Sequence, residues 1–173
     1  MMRHTLAGAS LALLGLLSLP AAALESDANA PIKVAADRLD LDDRAGTAVY
    51  TGDVEMQQGS MQLTAERVEI ERNDQGEVTL VTAIGGDERA YIEQKPAPED
   101  PLVKGWGNTI IYHAAERRVE LIEQAELHQA GDTFNGAYVE YFLDRRVVQA
   151  RSETQSGESE RVRMTLTPEQ SQQ

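Results

Sequence analysis

Apolar and polar residues alternate with a period of two along most of the chain beyond residue 30. Leu39 and Leu41, and then Val54 and Met56, show the pattern, with charged residues between them. Such alternation, in segments rich in valine, isoleucine, threonine and tyrosine, predicts strands that bury one face. Beyond the N-terminal region, no segment carries the 3.6-residue apolar stripe of a helix. The pattern therefore predicts an all-β protein.

Short turn signals separate these segments and set the expected strand length. They combine glycine with aspartate, asparagine or serine, which favour tight turns, and lie at 52–53, 59–60, 73–76, 85–87 and 131–132. At roughly nine residues for a strand and its turn, about sixteen short strands are expected. The longest irregular stretch, 94–100, contains Pro96 and Pro98 and is expected to form an inserted loop.

Four segments share a short pattern that indicates an internal duplication. They begin at Ala36, Ala65, Gly107 and Gly136, so successive starts are 29, 42 and 29 residues apart. The equal outer spacings indicate that a pair of repeats is duplicated with one constant offset, which takes Ala36 to Gly107 and Ala65 to Gly136. Self-similarity of this kind is typical of stacked, elongated architectures. The inserted loop lies at the midpoint, where the spacing is longer.

The duplication also predicts which face of the strands is buried. Tyr50 corresponds to Leu121 across the offset, whereas the apolar Val49 corresponds to Glu120. Because a core position should be apolar in both halves, Val49 is assigned to the outer face. The predicted inner-face set comprises Ile32, Leu39, Leu41, Tyr50, Val54, Met56, Leu63, Val68, Ile70, Ile110, Tyr112, Val119, Leu121, Leu127, Phe134, Val139 and Tyr141.

The first residues are predicted to lie outside the fold. Arg3 precedes the apolar run Leu6–Leu19, and Pro20 and Ala21–Ala23 follow, which is the pattern of a cleaved secretory signal peptide. A membrane anchor is the alternative, although the run is short for a span of about 20 residues. We expect a signal peptide over 1–23, a folded domain over 24–168 and a disordered tail over 169–173.

Composition argues against several classes of function. Sixteen Lys and Arg against 29 Asp and Glu give a net charge of −13, which argues against nucleic acid as a partner. The chain has no cysteine, so neither disulfides nor thiolate metal sites can form. His113 and His128 belong to no catalytic or metal-binding motif. We predict no catalytic residue, no metal site and no cofactor.

Two segments of the first half resemble a known family. Thr51–Gly59, with the sequence TGDVEMQQG, and Leu63–Val68, with the sequence LTAERV, are similar to the OstA-like repeat of the LptA family of periplasmic lipopolysaccharide-transport proteins. Pro31-Ile32 and Arg161–Pro168 resemble the same family, so the likeness covers almost the whole chain after the signal peptide. Glu123-Gln124 departs from it, because the family usually repeats Thr-Gly-Asn there. We expect that turn to be built differently within the same strand pattern.

The resemblance implies a V-shaped, slightly twisted antiparallel β-jelly roll that is open at both ends. It implies that the inner-face set binds the lipid A part of lipopolysaccharide, and that the protein bridges the inner and outer membranes through the periplasm. Head-to-tail self-association is also implied, with LptC at the N-terminal edge and LptD at the C-terminal edge. Neither catalysis nor a cofactor is implied.

Acyl chains are expected to carry most of the affinity for such a lipid. Each buried CH₂ is worth about 0.8 kcal/mol, whereas the acidic chain does not favour an anionic headgroup. Lys33, Arg38 and Lys104 are candidates for local phosphate contacts. Three alternatives remain open. They are a membrane-anchored partner of the LptC type, a periplasmic carbohydrate-binding jelly roll, which would need more surface aromatics than Trp106, and a hydrolase, which the missing nucleophile–base motifs disfavour. A dry β-sandwich core would have the same periodicity.

The first and last strands are predicted to be the assembly edges. The first, Ile32–Ala36, contains only Lys33 as a charged residue, and the last, Val162–Thr167, only Arg163. Edges with so few charges are open to pairing with another chain. The apolar residues expected at these edges are Ile32, Val34, Val162, Met164 and Leu166.

Overall fold

A computed structural model describes residues 29–155, 157 and 159–168, so the predicted signal peptide and the tail 169–173 lie outside the described residues. All twelve elements in the described part of the chain are β-strands, and every pair is antiparallel. They are β1 (Lys33–Ala35), β2 (Arg38–Asp42), β3 (Thr47–Gln58), β4 (Met61–Arg72), β5 (Val78–Ile84), β6 (Ala90–Gln94), β7 (Val103–Gly107), β8 (Thr109–His113), β9 (Arg118–Gln129), β10 (Asp132–Phe142), β11 (Val147–Arg151) and β12 (Arg163–Thr165). In residues 29–155, 157 and 159–168, the chain forms no helix that is long and apolar enough to span a membrane.

Four long strands, β3, β4, β9 and β10, each belong to two layers. The first half of β3 pairs with β2 and its second half with β1, and β4 divides in the same way between β5 and β6. Strand β9 divides between β8 and β7, and β10 between β11 and β12. Layer 1 therefore has the order β2-β3-β4-β5-β8-β9-β10-β11, and layer 2 has the order β1-β3-β4-β6-β7-β9-β10-β12.

The described part of the chain has twelve strands where about sixteen short strands were predicted. The number is smaller because the four long strands pass from one layer to the other without a turn. Each layer contains eight strand segments, so the predicted segments exist but are joined in pairs at four places. Gly52-Asp53, predicted to be a turn, lies at a bulge within β3, where the register shifts between Thr51 and Val54. A bulge bends its strand, which carries β3 from one layer into the other.

The layers meet along one line, which we call the spine. Backbone hydrogen bonds run along it: the amides of Asp37, Asn108 and Gly85 donate to the carbonyls of Gly52, Glu123 and Asn108 over 3.1, 2.9 and 2.8 Å. The opposite side, which we call the open side, is bounded only by turns. Layer 1 contributes the turns 43–46, 73–77, 114–117 and 143–146, and layer 2 contributes 59–60, 95–102 and 130–131.

The strand bounds confirm the internal duplication. Strands β2, β3 and β4 begin at Arg38, Thr47 and Met61, and β8, β9 and β10 begin at Thr109, Arg118 and Asp132, so the constant offset of the sequence repeats relates all three pairs. By their pairing, β1, β5 and β6 of the first half correspond to β7, β11 and β12 of the second. Both halves therefore share one arrangement of six strands.

We expected the chain to turn differently at Glu123-Gln124, and for the backbone this expectation is wrong. Gly52 and Asp53 have φ angles of +84° and +42°, and the corresponding Glu123 and Gln124 have +61° and +52°. At Gly52 a side chain is excluded, because a Cβ would lie 2.5 Å from Asp37 Oδ2. The second half keeps the left-handed bend with ordinary residues, at a cost of about 1–2 kcal/mol for each.

The equivalent residues Ile110 and Leu39 offer a matched test of burial. Ile110 is fully buried, whereas Leu39 is 50% exposed. We expect Ile110→Ala to lower the free energy of unfolding by about 3 kcal/mol, because it leaves a cavity in the core. Leu39→Ala should lower it by less than about 1 kcal/mol. Urea denaturation followed by circular dichroism measures both, and equal losses would contradict the assignment of Ile110 to a packed centre.

Candidate lipid-binding site

The two layers face each other across one apolar core. Gly105 of layer 2 lies so close to layer 1 that a Cβ there would approach both Cδ atoms of Leu121 to 3.0 Å. Ile92, Val103 and Tyr141 help to enclose an apolar cavity of only about 20 Å³ between the layers. The centre of the molecule is therefore closely packed, and its apolar surface is covered.

Most of the predicted inner-face set lies in this core. Leu39 and Leu41 are exposed, although their partners on β3, Tyr50 and Ala48, place them on the inner face. Ile32, Tyr50 and Phe134 are partly buried and pack against the core. The remaining members are buried: Val54, Met56, Leu63, Val68, Ile70, Ile110, Tyr112, Val119, Leu121, Leu127, Val139 and Tyr141. Their burial fits a lipid path and a dry core equally, so lipid contact stays a prediction.

The inner face is uncovered at both ends of the layers. At the N-terminal end Leu41 is 55% exposed, and at the C-terminal end Met164 is 52% exposed and Leu166 62%. Met164 lies opposite Phe134, and residues opposite each other on paired strands share a face. The apolar face that is covered at the centre is thus accessible to solvent at each end.

The inner-face set omits part of the core. Met61, Val81, Ala83 and Ile92 are buried, and none of them belongs to the set. Met61 lacks an apolar counterpart, because the equivalent residue of the second half is Asp132. Strands β5 and β6 lie outside the four repeat segments that guided the prediction. Their own alternation, with every second residue buried over most of each strand, was the available signal.

Four strands form the ends, where two were predicted. Strands β1 and β2 pair only with β3, and β11 and β12 pair only with β10. The end strands β1 and β12 are shorter than predicted, at Lys33–Ala35 and Arg163–Thr165. The sequence does not reveal that two short strands share one long neighbour, which is why β2 and β11 were not predicted to lie at the ends. Ile32 and Val34 are partly buried, whereas Val162, Met164 and Leu166 are exposed.

Comparison with known proteins identifies the family. Residues 33–147 match the family described as LptA/(LptD N-terminal domain) LPS transport protein. This chain belongs to that family. Within it, the chain is 44% identical over 136 residues to the lipopolysaccharide export system protein LptH of Pseudomonas aeruginosa, covering 79% of this chain and 77% of that protein.

Other members of the LptA family extend the likeness. The lipopolysaccharide export system protein LptA of Haemophilus influenzae is 30% identical over 94% of this chain and 92% of its own length. The crystal structure of LptH from Pseudomonas aeruginosa superposes with a TM-score of 0.75 at 40% identity, covering 83% of this chain and 99% of that one. The fold and the family are therefore established together.

On the outer face of layer 1, this LptA-family chain buries a charged cluster. Arg118 donates to Glu120 and, over 2.9 Å, to Glu140, while His113 Nε2 lies 2.8 Å from Glu120 Oε1. These side chains are between 11% and 25% exposed. Burial alone would raise the pKa of Glu120, but hydrogen bonds with Tyr138, Arg118 and His113 outweigh it and lower that pKa from its ordinary value of 4.5.

The outer face of layer 2 carries the aromatic side chains that the carbohydrate-binding alternative would use. The Trp106 ring lies 5.0 Å from that of Tyr91 and 4.8 Å from that of His128, measured between centroids. The rings are inclined to Trp106 by 41° and 59°, so they do not form one flat stacking surface. Tilted contacts of this kind are typical of side chains that pack against each other.

The three basic residues suggested for phosphate contact lie on the outer face. Arg38 forms an ion pair with Asp40 at 2.8 Å, and Lys104 lies 3.9 Å from Glu93. Lys33 is exposed, and like the other two it alternates with an inner-face neighbour. None of these cations therefore borders the inner face. In the described residues, no group of three or more acidic, histidine or cysteine side chains is arranged to hold a metal ion.

The charged cluster predicts a pH-dependent effect of Arg118→Met. At pH 7 we expect a loss of about 3 kcal/mol, because two buried carboxylates lose their shared cation. A carboxyl group whose pKa is lowered on folding contributes stability above its unfolded pKa and loses it as the pH falls. The penalty should therefore shrink between pH 7 and pH 3, as a proton neutralises Glu120, whose pKa lies below its ordinary value of 4.5.

Chemical denaturation at both pH values measures this penalty. Arg44→Met is the matched control, because Arg44 is an exposed arginine in a turn, and it should leave the free energy of unfolding nearly unchanged. A penalty for Arg118→Met that is equal at pH 7 and pH 3 would be evidence against this account.

Proposed function

We propose that this chain is a periplasmic lipopolysaccharide-transport module that shields the acyl chains of lipid A between its two layers. The observation that carries the proposal is the single apolar inner face, which is buried at the centre and exposed at both ends. The related LptH structure is described as a periplasmic component of a lipopolysaccharide transport device, and the signal peptide predicted at 1–23 agrees with export. Membership of a transport family supports a carrier rather than an enzyme.

Burial of acyl chains supplies the driving force. At about 0.8 kcal/mol for each CH₂, a chain of a dozen carbons gains on the order of 10 kcal/mol on leaving water. At the centre, an entering chain must replace side-chain contacts that already exist. At the ends it meets Leu41 or Met164, which are exposed. Entry therefore begins at an end, and progress inward exchanges one set of apolar contacts for another.

A photocrosslinking amino acid tests the lipid path. Placed at Tyr50, Met56, Leu63, Leu121, Leu127 or Phe134, it should capture lipopolysaccharide, because these positions face the interior. Placed at Val49 or Glu120 on the outer face, it should not. Capture is read on a denaturing gel with antibody to lipid A. Equal labelling of both groups would refute the assignment of faces, and a chain that carries no lipid would label at neither.

The junction between the two halves supports head-to-tail assembly. Within the chain, β5 pairs with β8 and β6 pairs with β7. By the duplication, the end strands β11 and β12 correspond to β5 and β6, and β2 and β1 correspond to β8 and β7. A second copy would thus pair its β2 and β1 with β11 and β12 of the first, by addition of strands to both layers. Such a contact joins different surfaces and propagates as a filament.

The internal junction also predicts the register of that contact in layer 1. Ala83 of β5 lies opposite Ile110 of β8. Ala83 and Ala150 occupy equivalent places, because they lie opposite Val68 and Val139, which correspond to each other across the duplication. Because Leu39 is the counterpart of Ile110, Ala150 of one copy is expected opposite Leu39 of the next.

The same argument places Met164 opposite Val34 of the next copy in layer 2. Its templates are Ile92 and Gly105, which lie opposite each other in β6 and β7. Both contacts belong to the inner face, so joining two copies covers apolar residues that one copy leaves exposed. LptC is expected at the β1 and β2 end and LptD at the β11 and β12 end, and the matched family includes the N-terminal domain of LptD.

Engineered cysteines test the predicted register, since the natural chain has none. A mixture of Ala150→Cys with Leu39→Cys should form a disulfide-linked dimer under mild oxidation, because opposed residues bring their Cβ atoms within reach. Non-reducing gel electrophoresis measures the yield. The control mixture, Ala150→Cys with Asp40→Cys, should form little dimer, because a shift of one residue points to the other face.

A second control fixes the meaning of a negative result. The double variant Ala83→Cys/Ile110→Cys should form an intramolecular disulfide, which shows that the chosen geometry permits the bond. If that bond forms while the Ala150 and Leu39 mixture stays monomeric at high concentration, the head-to-tail register is wrong.

A further inference from the structure

A loop at the midpoint of the chain crosses the open side. Residues 95–102, which we call the strap, connect β6 to β7 in layer 2 and reach the turns of layer 1. Arg146 Nη2 donates to both carboxylate oxygens of Asp100, over 2.7 and 2.6 Å. Arg117 Nη2 donates to the Pro96 carbonyl oxygen over 3.0 Å. Two arginines on one rim therefore hold the strap across the opening.

The strap has a defined shape of its own. The Asp100 amide donates to the Ala97 carbonyl over 2.9 Å, and the Lys95 amide donates to Ser60 Oγ over 3.0 Å. Lys95 Nζ also donates to the Pro98 carbonyl over 3.3 Å. The Asp100 side chain is only 17% exposed, although it is charged. Its carboxylate is thus placed against Arg146 by the loop.

The two arginines occupy backbone positions that favour glycine. Arg117 and Arg146 have φ angles of +46° and +52°. In the first half, the counterpart of Arg117 is Gly46, at +69°, whereas the turn before β5 is one residue longer than the turn of Arg146 and holds Gly76 at +81°. The left-handed conformation costs free energy for any residue with a Cβ. The conformation alone does not single out these arginines, because Glu123, Gln124 and Ala130 adopt it too. Their guanidinium contacts with the strap distinguish them.

The turn that holds Arg117 forms the same backbone hydrogen bond as the turn that holds Gly46, so a difference in backbone does not explain the arginine there. The Arg72 amide donates to the Gly46 carbonyl over 2.8 Å, and the Leu143 amide donates to the Arg117 carbonyl over 3.0 Å. Both partners of the second bond are the counterparts, across the duplication, of the partners of the first. The same turn is therefore built with glycine in the first half and with arginine in the second, where the strap lies.

The position of the rim fits the headgroup of an amphiphile. A lipid whose acyl chains lie between the layers at the centre must leave its polar part on the open side, because the spine closes the other. The interior directly below the strap is mostly apolar, and Tyr141, Leu143 and the buried Gln94 help to line its small cavity. In a chain of net charge −13, two arginines at this rim are suited to phosphate groups, which accept the same bidentate bonds as a carboxylate.

We propose that Arg117 and Arg146 form a binding site for the phosphate groups of the glycolipid headgroup, and that the strap occupies this site until the lipid arrives. Asp100 and the Pro96 carbonyl act as stand-ins, which phosphate oxygens displace when acyl chains enter the core. Arg117 is also paired with Asp144 at 2.8 Å, so it stays oriented when the strap leaves. This proposal rests on the proposed function.

The site is tested by comparing three ligands: lipid A with two phosphates, the same lipid after enzymatic dephosphorylation, and inorganic phosphate. Binding is measured by calorimetry in one detergent buffer for all proteins. The wild type should prefer the phosphorylated lipid. The double variant Arg117→Gln/Arg146→Gln should lose about tenfold or more of its affinity for that lipid and keep its affinity for the dephosphorylated one. Arg44→Gln, in a first-half turn, is the matched control.

Asp100→Asn separates a binding site from a structural latch. It removes the competing carboxylate, so affinity for the phosphorylated lipid should rise severalfold while that for the dephosphorylated lipid stays constant. A merely structural strap would make the Asp100 and arginine variants change both affinities in the same direction. Thermal unfolding of each variant checks that the fold is intact.

Three results would overturn the proposal. In the first, the double arginine variant keeps the full preference for phosphate, and in the second Asp100→Asn weakens binding. In the third, inorganic phosphate alone binds as tightly as the lipid with the same dependence on arginine, which would assign the site to free phosphate. Failure of the proposed function looks different, because neither form of the lipid would then bind to the wild type.

Discussion

A strand needs a hydrogen-bonding partner on each side, and within the described residues the ends of the two layers lack one. Strands β1, β2, β11 and β12 each have a single neighbour, and several apolar side chains on them, such as Leu41 and Met164, are exposed. The duplication gives the two ends complementary identities, because each repeats one side of the junction already made between the halves. One property, the missing neighbour of the end strands, therefore explains three features. The ends are open, apolar residues are exposed there, and another copy can extend both layers.

The long strands explain why the interior can be both packed and accessible. Because β3, β4, β9 and β10 pass through both layers, the chain itself joins the layers at the spine. On the open side, the layers are held together only by contacts between their turns and side chains. Contacts such as that between Gly105 and Leu121 close the centre in the free protein. An entering lipid must replace these contacts. The loss of core packing therefore offsets part of the free energy gained by burying the acyl chains.

Much of this arrangement could be predicted from residue order, because alternation and the constant offset between the halves can be read directly along the chain. The face of Val54 and Leu127 follows from them. The number of strands does not, since the sequence signal for a bulge at Gly52-Asp53 resembles that for a turn. The two strands at each end were missed as a pair because neither segment's own sequence specifies which distant strand it pairs with. Arg117 and Arg146 were missed because their meaning depends on the loop they meet.

The two halves share a backbone, and so their differences report on position in the molecule. Leu39 lies at an end and its counterpart Ile110 at the centre, where one is exposed and the other fully buried. Val34 at the first edge corresponds to Gly105, which has no space for a side chain beside Leu121. Gly46 corresponds to Arg117, which carries a strained backbone and meets the strap. The last of these differences places a guanidinium group on the rim of the open side at a position where the first half has only glycine.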